Sequence, residues 1–433
     1  MVMHPRNRYI SPPDFVALAR RYPPLRPYVF LTHTGPSIDF KSPVAQRRLT
    51  EALLHIDFEI NLSLPDNRLC PPVPNRLNYV LWIQDIVRET ASEVATVRGI
   101  DIGTGASAIY PLLACRLEPA WQMISTDVDR VSLIYAQKNV ERNNLSNRVR
   151  IMEVSPSGSM LRPLEEDTLS TYEFTMCNPP FYSSSEEAAQ SAEAKEFIPN
   201  AVCTGAESEM ITPGGEVTFV SRMFSESLQH RTRCRWYTSM LGKMASLPEI
   251  VGLLRDNLID NYAIAEFVQG QTRRWAIAWS FGTRRLPDVH SRISNPTLQS
   301  IMPARTTLYQ QLSTIPSLSL LSSTLNRVIM EIDDVSVTWD NRESCLVQAT
   351  ANTWSRSARR KKAASSSQAC SYSKCSPVVL QCRIHCREGV SGSEEHKSAD
   401  VHLEYQWVDG SERSVFESFV NHVNRRVCSV AVT

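Results

Sequence analysis

The 433 residues exceed one ordinary domain, so the sequence predicts two or three domains. Hydrophobic residues make up 42% and charged residues 21%, which excludes a wholly disordered chain, and the net charge of +1 gives no global attraction to polyanions. No run approaches the ~18 apolar residues of a membrane helix, and the N-terminal stretch MVMHPRNRYISPPDF lacks the apolar core of a secretory signal. The 11 cysteines are therefore expected to be reduced thiols, in the nucleus or the cytoplasm or both.

The N-terminal region is rich in proline and arginine and contains a single acid in its first 30 residues. Such a segment either wraps the domain that follows or forms a basic arm that touches phosphates. Ser42 is expected to cap a helix that ends at Phe58, and a second helix is predicted to end near Thr90. Residues 1–92 are interpreted as a basic arm with a helical extension, which forms part of a groove that contacts phosphates.

Strands and helices alternate between residues 94 and 181, and this alternation predicts a parallel sheet with helices on both faces. A Ser-, Glu- and Ala-rich stretch, 182–215, is expected to be a loop. Strands Ala263–Val268 and Arg274–Phe281 form a predicted terminal hairpin, so the domain is placed at 93–285. The other predicted strands are 94–102, 122–126, 149–154, 174–177 and 236–240, and the helices are 106–116, 128–143, 216–229 and 247–258.

The C-terminal part is predicted to be a linker, 286–320, followed by a smaller α+β module, 321–433, which can bind RNA. Low-complexity sequence indicates disordered insertions near 355–377 and 388–399. The basic run Arg359-Arg360-Lys361-Lys362 is either a nuclear import signal or an RNA-binding tail. The predicted strands are 328–332, 335–339, 345–349, 378–384 and 401–407, and the final helix is 414–426.

A glycine turn, Gly103-Thr104-Gly105, joins the first predicted strand to its helix. Glycines let the backbone approach a ligand closely, and the helix N-terminus offers free N–H groups. Asp127 ends the next strand, where a carboxylate can accept hydrogen bonds from both ribose hydroxyls of an adenosine cofactor. The spacing leaves open whether that cofactor is a nicotinamide dinucleotide or S-adenosylmethionine.

Asn178-Pro179-Pro180-Phe181 follows a strand at the same predicted edge of the sheet. The two prolines fix the loop and lack N–H donors, so the Asn178 side-chain oxygen and the Pro179 carbonyl remain as acceptors. Together they can accept both hydrogens of an exocyclic amino group and free its lone pair for attack. Phe181 can stack on the base and hold it near a methyl donor.

These motifs resemble those of class I S-adenosylmethionine-dependent methyltransferases, which have a Rossmann-like doubly wound sheet with a terminal antiparallel hairpin. More closely, the chain is similar to the methyltransferase-like 16 family, which methylates adenosine N6 in U6 small nuclear RNA and has bacterial relatives that modify large-subunit ribosomal RNA. The resemblance spans residues 3–285. It rests on Met3 to Tyr9, Pro12 to Phe15, Arg76 to Tyr79, Gly99 to Ser107, Cys177 to Phe181, Arg235 to Tyr237, Met240 to Lys243, Arg274 to Ala276 and Trp279 to Phe281.

The resemblance implies that Arg76 meets the carboxylate end of the cofactor, Gly103 and Ser107 line its amino-acid side, and Asp127 binds the ribose. It implies that Ser159 lies in a loop that admits or blocks the cofactor, and that the Asn-Pro-Pro-Phe motif holds the target adenosine. The chain departs from the family pattern at two places: Ser183–Glu196 is acidic where a basic stretch is expected, and Gly158 stands where a larger residue is expected. The expected cofactor-binding residues are Arg76, Asp101, Gly103, Gly105, Ser107, Asp127, Ser159 and Asn178, and the catalytic residues are Asn178, Pro179, Pro180 and Phe181.

RNA contacts are expected from clustered cations, because phosphate binding depends on Lys and Arg. The target adenosine must be unstacked, so the partner is expected to be a structured RNA with an unpaired adenosine, most simply U6 small nuclear RNA. No membrane or metal is expected, since the spacing of Cys370, Cys375, Cys382, His385 and Cys386 fits no standard zinc pattern. The RNA-binding candidates are Arg6, Arg8, Lys41, Arg231, Arg233, Arg235, Lys243, Arg273 and Arg274.

The sequence thus predicts an RNA adenosine-N6 methyltransferase. Two rivals stay open. A protein glutamine methyltransferase uses a similar Asn-Pro-Pro-aromatic loop, usually with Tyr where this chain has Phe181. A non-catalytic RNA-binding protein would carry a vestigial pocket, although intact Asp101, Asp127 and Asn178 argue against it.

Overall fold

The computed structural model describes residues 3–33, 35–91, 96–193, 205–270, 272–312, 315–356, 358, 360, 378–391 and 398–430. The chain divides into two compact units. The first contains Met1–Gly282 and His290–Pro303, and the second contains Thr283–Val289 and Ala304–Thr433. None of the described helices combines the length and the apolar character that crossing a membrane requires.

The N-terminal region of the first unit is helical and is fastened to the fold. Asp14 caps the first helix by accepting hydrogen bonds from Val16 N and Ala17 N. Ser42 caps the second, as predicted, by accepting one from Ala45 N at 3.3 Å. The elements are α1 (Phe15–Arg21), a 3-10 helix (Pro23–Tyr28), β1 (Val29–Thr32), β2 (Gly35–Ile38), α2 (Pro43–Phe58) and α3 (Val73–Thr90).

A seven-stranded sheet forms the centre of the first unit. Its strands are β3 (Val97–Ile102), β4 (Trp121–Asp127), β5 (Val149–Glu153), β6 (Tyr172–Cys177), β7 (Cys234–Leu241), β8 (Tyr262–Gln269) and β9 (Thr272–Trp279). The spatial order is β5-β4-β3-β6-β7-β9-β8, with β9 antiparallel to both of its neighbours and the other pairs parallel. This is the class I methyltransferase fold with its terminal hairpin, which confirms the predicted fold class.

Helices flank this sheet, as the alternating pattern predicts. They are α4 (Ile109–Leu117), α5 (Arg130–Arg142), α6 (Arg162–Glu166), α7 (Ser185–Glu193), α8 (Glu207–Met210), α9 (Gly215–His230) and α10 (Ser246–Asp256). The prediction of a continuous loop at 182–215 is wrong, because α7 and α8 lie within it, while residues 194–204 are outside the described part of the chain. Local capping supports both helices: Ser184 Oγ accepts from Glu187 N, and the Glu209 carboxylate accepts from Ala206 N.

The second unit is a five-stranded antiparallel sheet with two helices packed on one face, so the expected α+β module is present. The strands are β10 (Thr307–Leu312), β11 (Val335–Trp339), β12 (Ser344–Ala349), β13 (Leu380–Ser391) and β14 (Ser398–Asp409), in the order β10-β14-β13-β12-β11. The helices that share its apolar core are α12 (Leu318–Met330) and α13 (Arg413–Val430), and a short α11 spans Asp288–Ser291.

Three expectations for the C-terminal part differ from the structure. The stretch expected to be a linker contains β10, all of whose residues pair with β14. The strand predicted at 328–332 is instead the last turn of α12, which ends at Met330, and the two residues that follow it, because Leu321, Leu325, Val328 and Ile329 repeat at helical spacing and are buried together. In the insertion predicted near 388–399, residues 388–391 and 398–399 instead extend β13 and β14, and 392–397 lie outside the described residues. In the insertion predicted near 355–377, residues 357, 359 and 361–377 lie outside the described residues.

Gly99 tests the packing of the central sheet. A Cβ at this position in β3 would lie 2.4 Å from Phe174 Cζ and 2.7 Å from Met123 Sδ, so Gly99→Ala should lower the free energy of unfolding by about 1–3 kcal/mol. Gly252→Ala, in α10 with open space around its Cα, is the control and should raise that free energy by roughly 0.5–1 kcal/mol. Urea unfolding followed by circular dichroism measures both, and equal effects of the same sign would contradict this packing.

Candidate active site

A cleft opens at the carboxyl ends of β3, β4 and β6. Gly103 and Gly105 have φ values of +71° and +63°, and Gly103 N and Thr104 N both donate to Thr126 O at 2.9 Å. The turn is thereby bonded to the neighbouring strand and leaves open space above Gly103. The residues that line the cleft include Leu69, Arg76, Gly103, Gly105, Ser107, Asp127, Ser159, Asn178, Pro180 and Glu209.

Asp127 lies at the end of β4 and is held by backbone N–H groups. Its Oδ2 accepts from Gly105 N at 2.8 Å, and its Oδ1 accepts from Asp129 N at 2.9 Å. Burial raises the pKa of Asp127, while these backbone hydrogen bonds oppose the rise. The carboxylate is fixed in orientation and retains lone pairs toward the cleft, as hydroxyl recognition requires.

Arg76 is a buried cation on the wall of the cleft, with 6% of its surface exposed. Its Nη1 donates to Tyr110 Oη at 2.8 Å, and its guanidinium lies 5.5 Å from the centre of the Tyr110 ring. Among the described residues no carboxylate forms an ion pair with Arg76, and its buried Nε has no acceptor. A buried N–H group without an acceptor is costly, so a ligand carboxylate suits this position.

Asp101 is fully buried on β3, two residues before the glycine turn. Neither of its carboxylate oxygens has a hydrogen-bond donor within the described part of the chain. Burial raises the pKa of Asp101 to about 7; the charge of Asp127 adds to the rise, while Thr104 and Arg76 oppose it. Asp101 therefore titrates near neutral pH.

Asn178 follows β6 and presents its side-chain amide to the cleft. Its Oδ1 is buried and accepts no hydrogen bond from the residues that the structure describes. The motif is anchored at its start, because Tyr79 Oη accepts from Cys177 N at 3.3 Å and pairs with Thr238 Oγ1 at 2.5 Å. A rigid loop thus carries a buried acceptor that a donor on a bound ligand can satisfy.

Phe181 is positioned by contacts that the sequence reasoning missed. A Cβ on Gly242 would lie 2.7 Å from Phe181 Cδ1, so only glycine lets this backbone pack against the ring. Buried Glu216 fixes that backbone by accepting from Gly242 N at 2.6 Å and Lys243 N at 2.9 Å. The guanidinium of Arg274 lies 5.2 Å from the ring centre. The ring is therefore held in a defined orientation beside Asn178.

The two expected cofactor serines already have protein partners. Ser107 Oγ accepts from Ile109 N at 3.3 Å in the helix that follows the glycine turn. Ser159 Oγ donates to Glu226 at 3.0 Å, and the same carboxylate accepts from Met160 N at 2.8 Å. Both serines line the cleft, but Glu226 on α9 holds the Ser159 loop.

Four of the expected RNA-binding arginines make contacts within the fold. Arg6 bonds Gln84 at 2.8 Å and pairs with Asp85 on α3, and Arg8 pairs with Asp57 at 3.0 Å. Their partners show that the N-terminal segment wraps the domain. Arg233 donates to three backbone carbonyls, and Arg235 pairs with Glu173 at 2.5 Å. These contacts hold the four guanidinium groups in place, and their contacts with RNA stay a prediction.

The other candidate cations face outward, and two of them flank the Asn-Pro-Pro-Phe motif. Arg274 lies beside Phe181, and Lys243 lies 5.6 Å from the ring centre of Tyr182. Lys243 also pairs with Glu187, whose pKa this contact lowers to about 2. The remaining candidates have these placements: Arg231 lies over Phe281, Arg273 pairs with Glu266 at 3.3 Å, and Lys41 is exposed.

Cys382 and Cys386 are buried in the core of the second unit, whereas His385 lies on the opposite face of β13. These three side chains therefore cannot share one metal ion. Within the described residues no cluster of His, Cys, Asp or Glu has a metal-binding arrangement. Cys370 and Cys375, and Arg359, Lys361 and Lys362 of the basic run, lie outside the described part of the chain.

Comparison with known proteins places this site in a family. A family model described as "RNA methyltransferase" matches residues 1–283, more than half of the chain. The chain belongs to this RNA methyltransferase family. A Schizosaccharomyces pombe member named U6 small nuclear RNA (adenine-(43)-N(6))-methyltransferase is 35% identical over 392 residues, which cover 90% of this chain and 94% of that protein.

Vertebrate members of the RNA methyltransferase family are also similar. The Homo sapiens RNA N(6)-adenosine-methyltransferase METTL16 is 44% identical over 284 residues. The match covers 64% of this chain and 50% of that protein, so the chain spans about half the length of this relative. The structure of the human METTL16 catalytic domain in complex with MAT2A 3′UTR hairpin 1 has a TM-score of 0.60 and 42% identity, over 65% of this chain and 96% of that one. The human N-terminal domain in complex with SAH has a TM-score of 0.55 and 42% identity, over 65% and 99%.

Asp101→Asn tests the buried carboxyl group. Its folded-state pKa is raised, so the stability that its proton confers is complete below the unfolded pKa of about 4 and is lost as pH rises toward 7. The free energy of unfolding of the variant minus that of wild type should therefore increase between pH 4 and 7, by roughly 2–4 kcal/mol, and level off above.

Urea unfolding across this pH range measures the difference. The exposed Asp256→Asn is the matched control for loss of a carboxylate. A difference that does not vary with pH, or that varies equally in the control, would contradict a raised pKa at Asp101.

Proposed function

We propose that this chain is an S-adenosylmethionine-dependent RNA adenosine-N6 methyltransferase that acts on U6 small nuclear RNA. The buried, unpaired Oδ1 of Asn178 carries the proposal, because it offers an acceptor to an amino group at the mouth of a cofactor cleft. The names of the relatives support the same reaction, and the S. pombe relative matches over nearly its whole length.

The cleft fits S-adenosylmethionine, which supplies an electrophilic methyl group when it is bound. The Nε of Arg76, which has no acceptor among the described residues, suits the carboxylate of the cofactor, and the oriented carboxylate of Asp127 suits its ribose. Gly103 leaves the space that a ligand needs. For Ser159 we propose a role in shaping the cleft, because its hydroxyl donates to Glu226.

Asn178 and Pro179 promote the transfer by accepting both N6 hydrogens. The nitrogen lone pair is then directed at the methyl group, while Phe181 stacks on the base and limits its motion. The methylated nitrogen is an ammonium ion that releases its proton readily, so a strong base in the site is not required.

The RNA partner must present an unpaired adenosine, because a stacked base cannot reach Asn178. Lys243 and Arg274 flank the motif and are the cations best placed to meet the neighbouring phosphates. We infer a second contact through the C-terminal module. A U6 substrate is a nuclear RNA, and from this we infer that the protein works in the nucleus.

Asn178→Ala tests the proposal. With labelled S-adenosylmethionine and a U6-like structured RNA, the variant should transfer methyl groups about 10²–10³-fold more slowly than wild type, since it loses a contact made to the reacting nitrogen. Thermal stability should not fall, because the amide oxygen that is removed has no partner among the described residues. Asn147→Ala, at an exposed asparagine after α5, is the matched control.

The label must appear as N6-methyladenosine, read by nuclease digestion and mass spectrometry. A scrambled linear RNA should accept much less. Label in a protein substrate rather than RNA would favour a glutamine methyltransferase, and RNA binding without transfer would favour a binding protein; either outcome would overturn the proposal.

A further inference from the structure

Glu209 is an acidic residue on the cleft wall for which the cofactor motifs give no role. It lies on α8, within the stretch between the Asn-Pro-Pro-Phe motif and α9. Its Oε2 accepts from Leu69 N at 2.9 Å and from Ala206 N at 2.8 Å. The carboxylate is therefore fixed by backbone donors from two segments that are far apart in sequence.

The other oxygen of Glu209 faces the glycine turn. A Cβ built on Gly105 would lie 3.4 Å from Glu209 Oε1, and Gly105 N itself donates to Asp127 Oδ2 at 2.8 Å. Two carboxylates thus approach the same glycine, one from α8 and one from β4. Asp127, Gly105 and Glu209 all line the same cleft, so a ligand bound there can meet both carboxylates.

In the described part of the chain, neither acid of this pair forms an ion pair with a Lys or Arg side chain. Arg68 is the nearest cation to influence Glu209, but its guanidinium pairs with Asp129 at 2.6 Å. Among the described residues no Lys or Arg forms an ion pair with Glu209. Burial raises the pKa of Glu209, and the charge of Asp127 adds to the rise. Hydrogen-bond donors placed between the two carboxylates would relieve this repulsion.

We propose that Glu209 is a second acid for the cofactor's ribose: its Oε1 accepts a hydrogen bond from one ribose hydroxyl, alongside Asp127. The inference rests on the proposed function, because that function supplies the ribose. A vicinal diol has two O–H donors and no charge, so it can satisfy both acids. The contact also makes α8 part of the cofactor site, and Tyr182 N donates to Met210 O directly beyond it.

Glu209→Gln tests the inference with little disturbance. The glutamine oxygen can still accept from Leu69 N and Ala206 N, while its NH₂ group replaces the acceptor that faces the cleft. By isothermal titration calorimetry, the dissociation constants of S-adenosylmethionine and S-adenosylhomocysteine should both rise about 10–100-fold, as for loss of a hydrogen bond to a charged group. Glu207→Gln, exposed on the same helix, removes the same charge and should leave both constants unchanged.

A second arm uses analogues of S-adenosylhomocysteine that lack the 2′- or the 3′-hydroxyl. Wild type should bind one of these analogues more weakly than it binds S-adenosylhomocysteine. Glu209→Gln should bind that same analogue with nearly the affinity of wild type. This arm does not depend on how well the variant folds, because the weaker binding to wild type is itself a result.

The outcomes separate cleanly. Loss of affinity for S-adenosylmethionine alone would place Glu209 against the sulfonium charge and would overturn the hydroxyl assignment. Unchanged affinity for both compounds would overturn the inference while leaving the proposed function intact. Failure of wild type to bind either compound would overturn the proposed function and the inference with it.

Discussion

The side-chain oxygen of Asn178 is buried at the end of β6 without a hydrogen-bond donor from the described part of the protein. Leaving a buried polar atom unpaired costs about 1–3 kcal/mol, and the Nε of Arg76, which has no acceptor among the described residues, adds to that cost. A bound ligand that pairs with both groups would remove the cost. Both residues line the same cleft, where the proposed function places the cofactor and the amino group.

The sheet makes this arrangement rigid. Every residue of β6 is buried, so the strand that delivers Asn178 is held on both faces. Tyr79 from α3 bonds the backbone at Cys177, and Glu216 from α9 bonds the backbone that packs against Phe181. The acceptor and the stacking ring are thus set by elements far apart in sequence. Such rigidity is what positional catalysis demands, because it relies on geometry that exists before the substrate arrives.

The fold and the chemical motifs could be predicted because their signals are local. The glycine turn, Asp127 and Asn178 each follow a short apolar strand, and parallel strands bring their carboxyl ends to one edge. The partners of the arginines within the fold could not be predicted, because charge does not reveal a partner: Arg6 meets Gln84 and Asp85 far along the chain.

Two other differences between the predicted and the observed structure have physical causes. Glu209 lies in a polar segment without hydrophobic periodicity, so nothing in the sequence shows that its backbone partners fix it in the cleft. The β-branched residues Val328, Ile329 and Ile332 favour a strand locally, but their burial with Leu321 and Leu325 selects a helix.

The contact between Asn178 and the amino group is tested most directly by a double-mutant cycle. Wild type and Asn178→Ala are each titrated with the RNA that wild type methylates, and with the same RNA in which the methylated adenosine is replaced by purine riboside. Purine lacks the exocyclic amine but keeps the ring that we propose stacks on Phe181. Wild type should bind the adenosine RNA more tightly than the purine RNA, and the variant should bind both equally. A preference for adenosine that persists in Asn178→Ala would contradict the account.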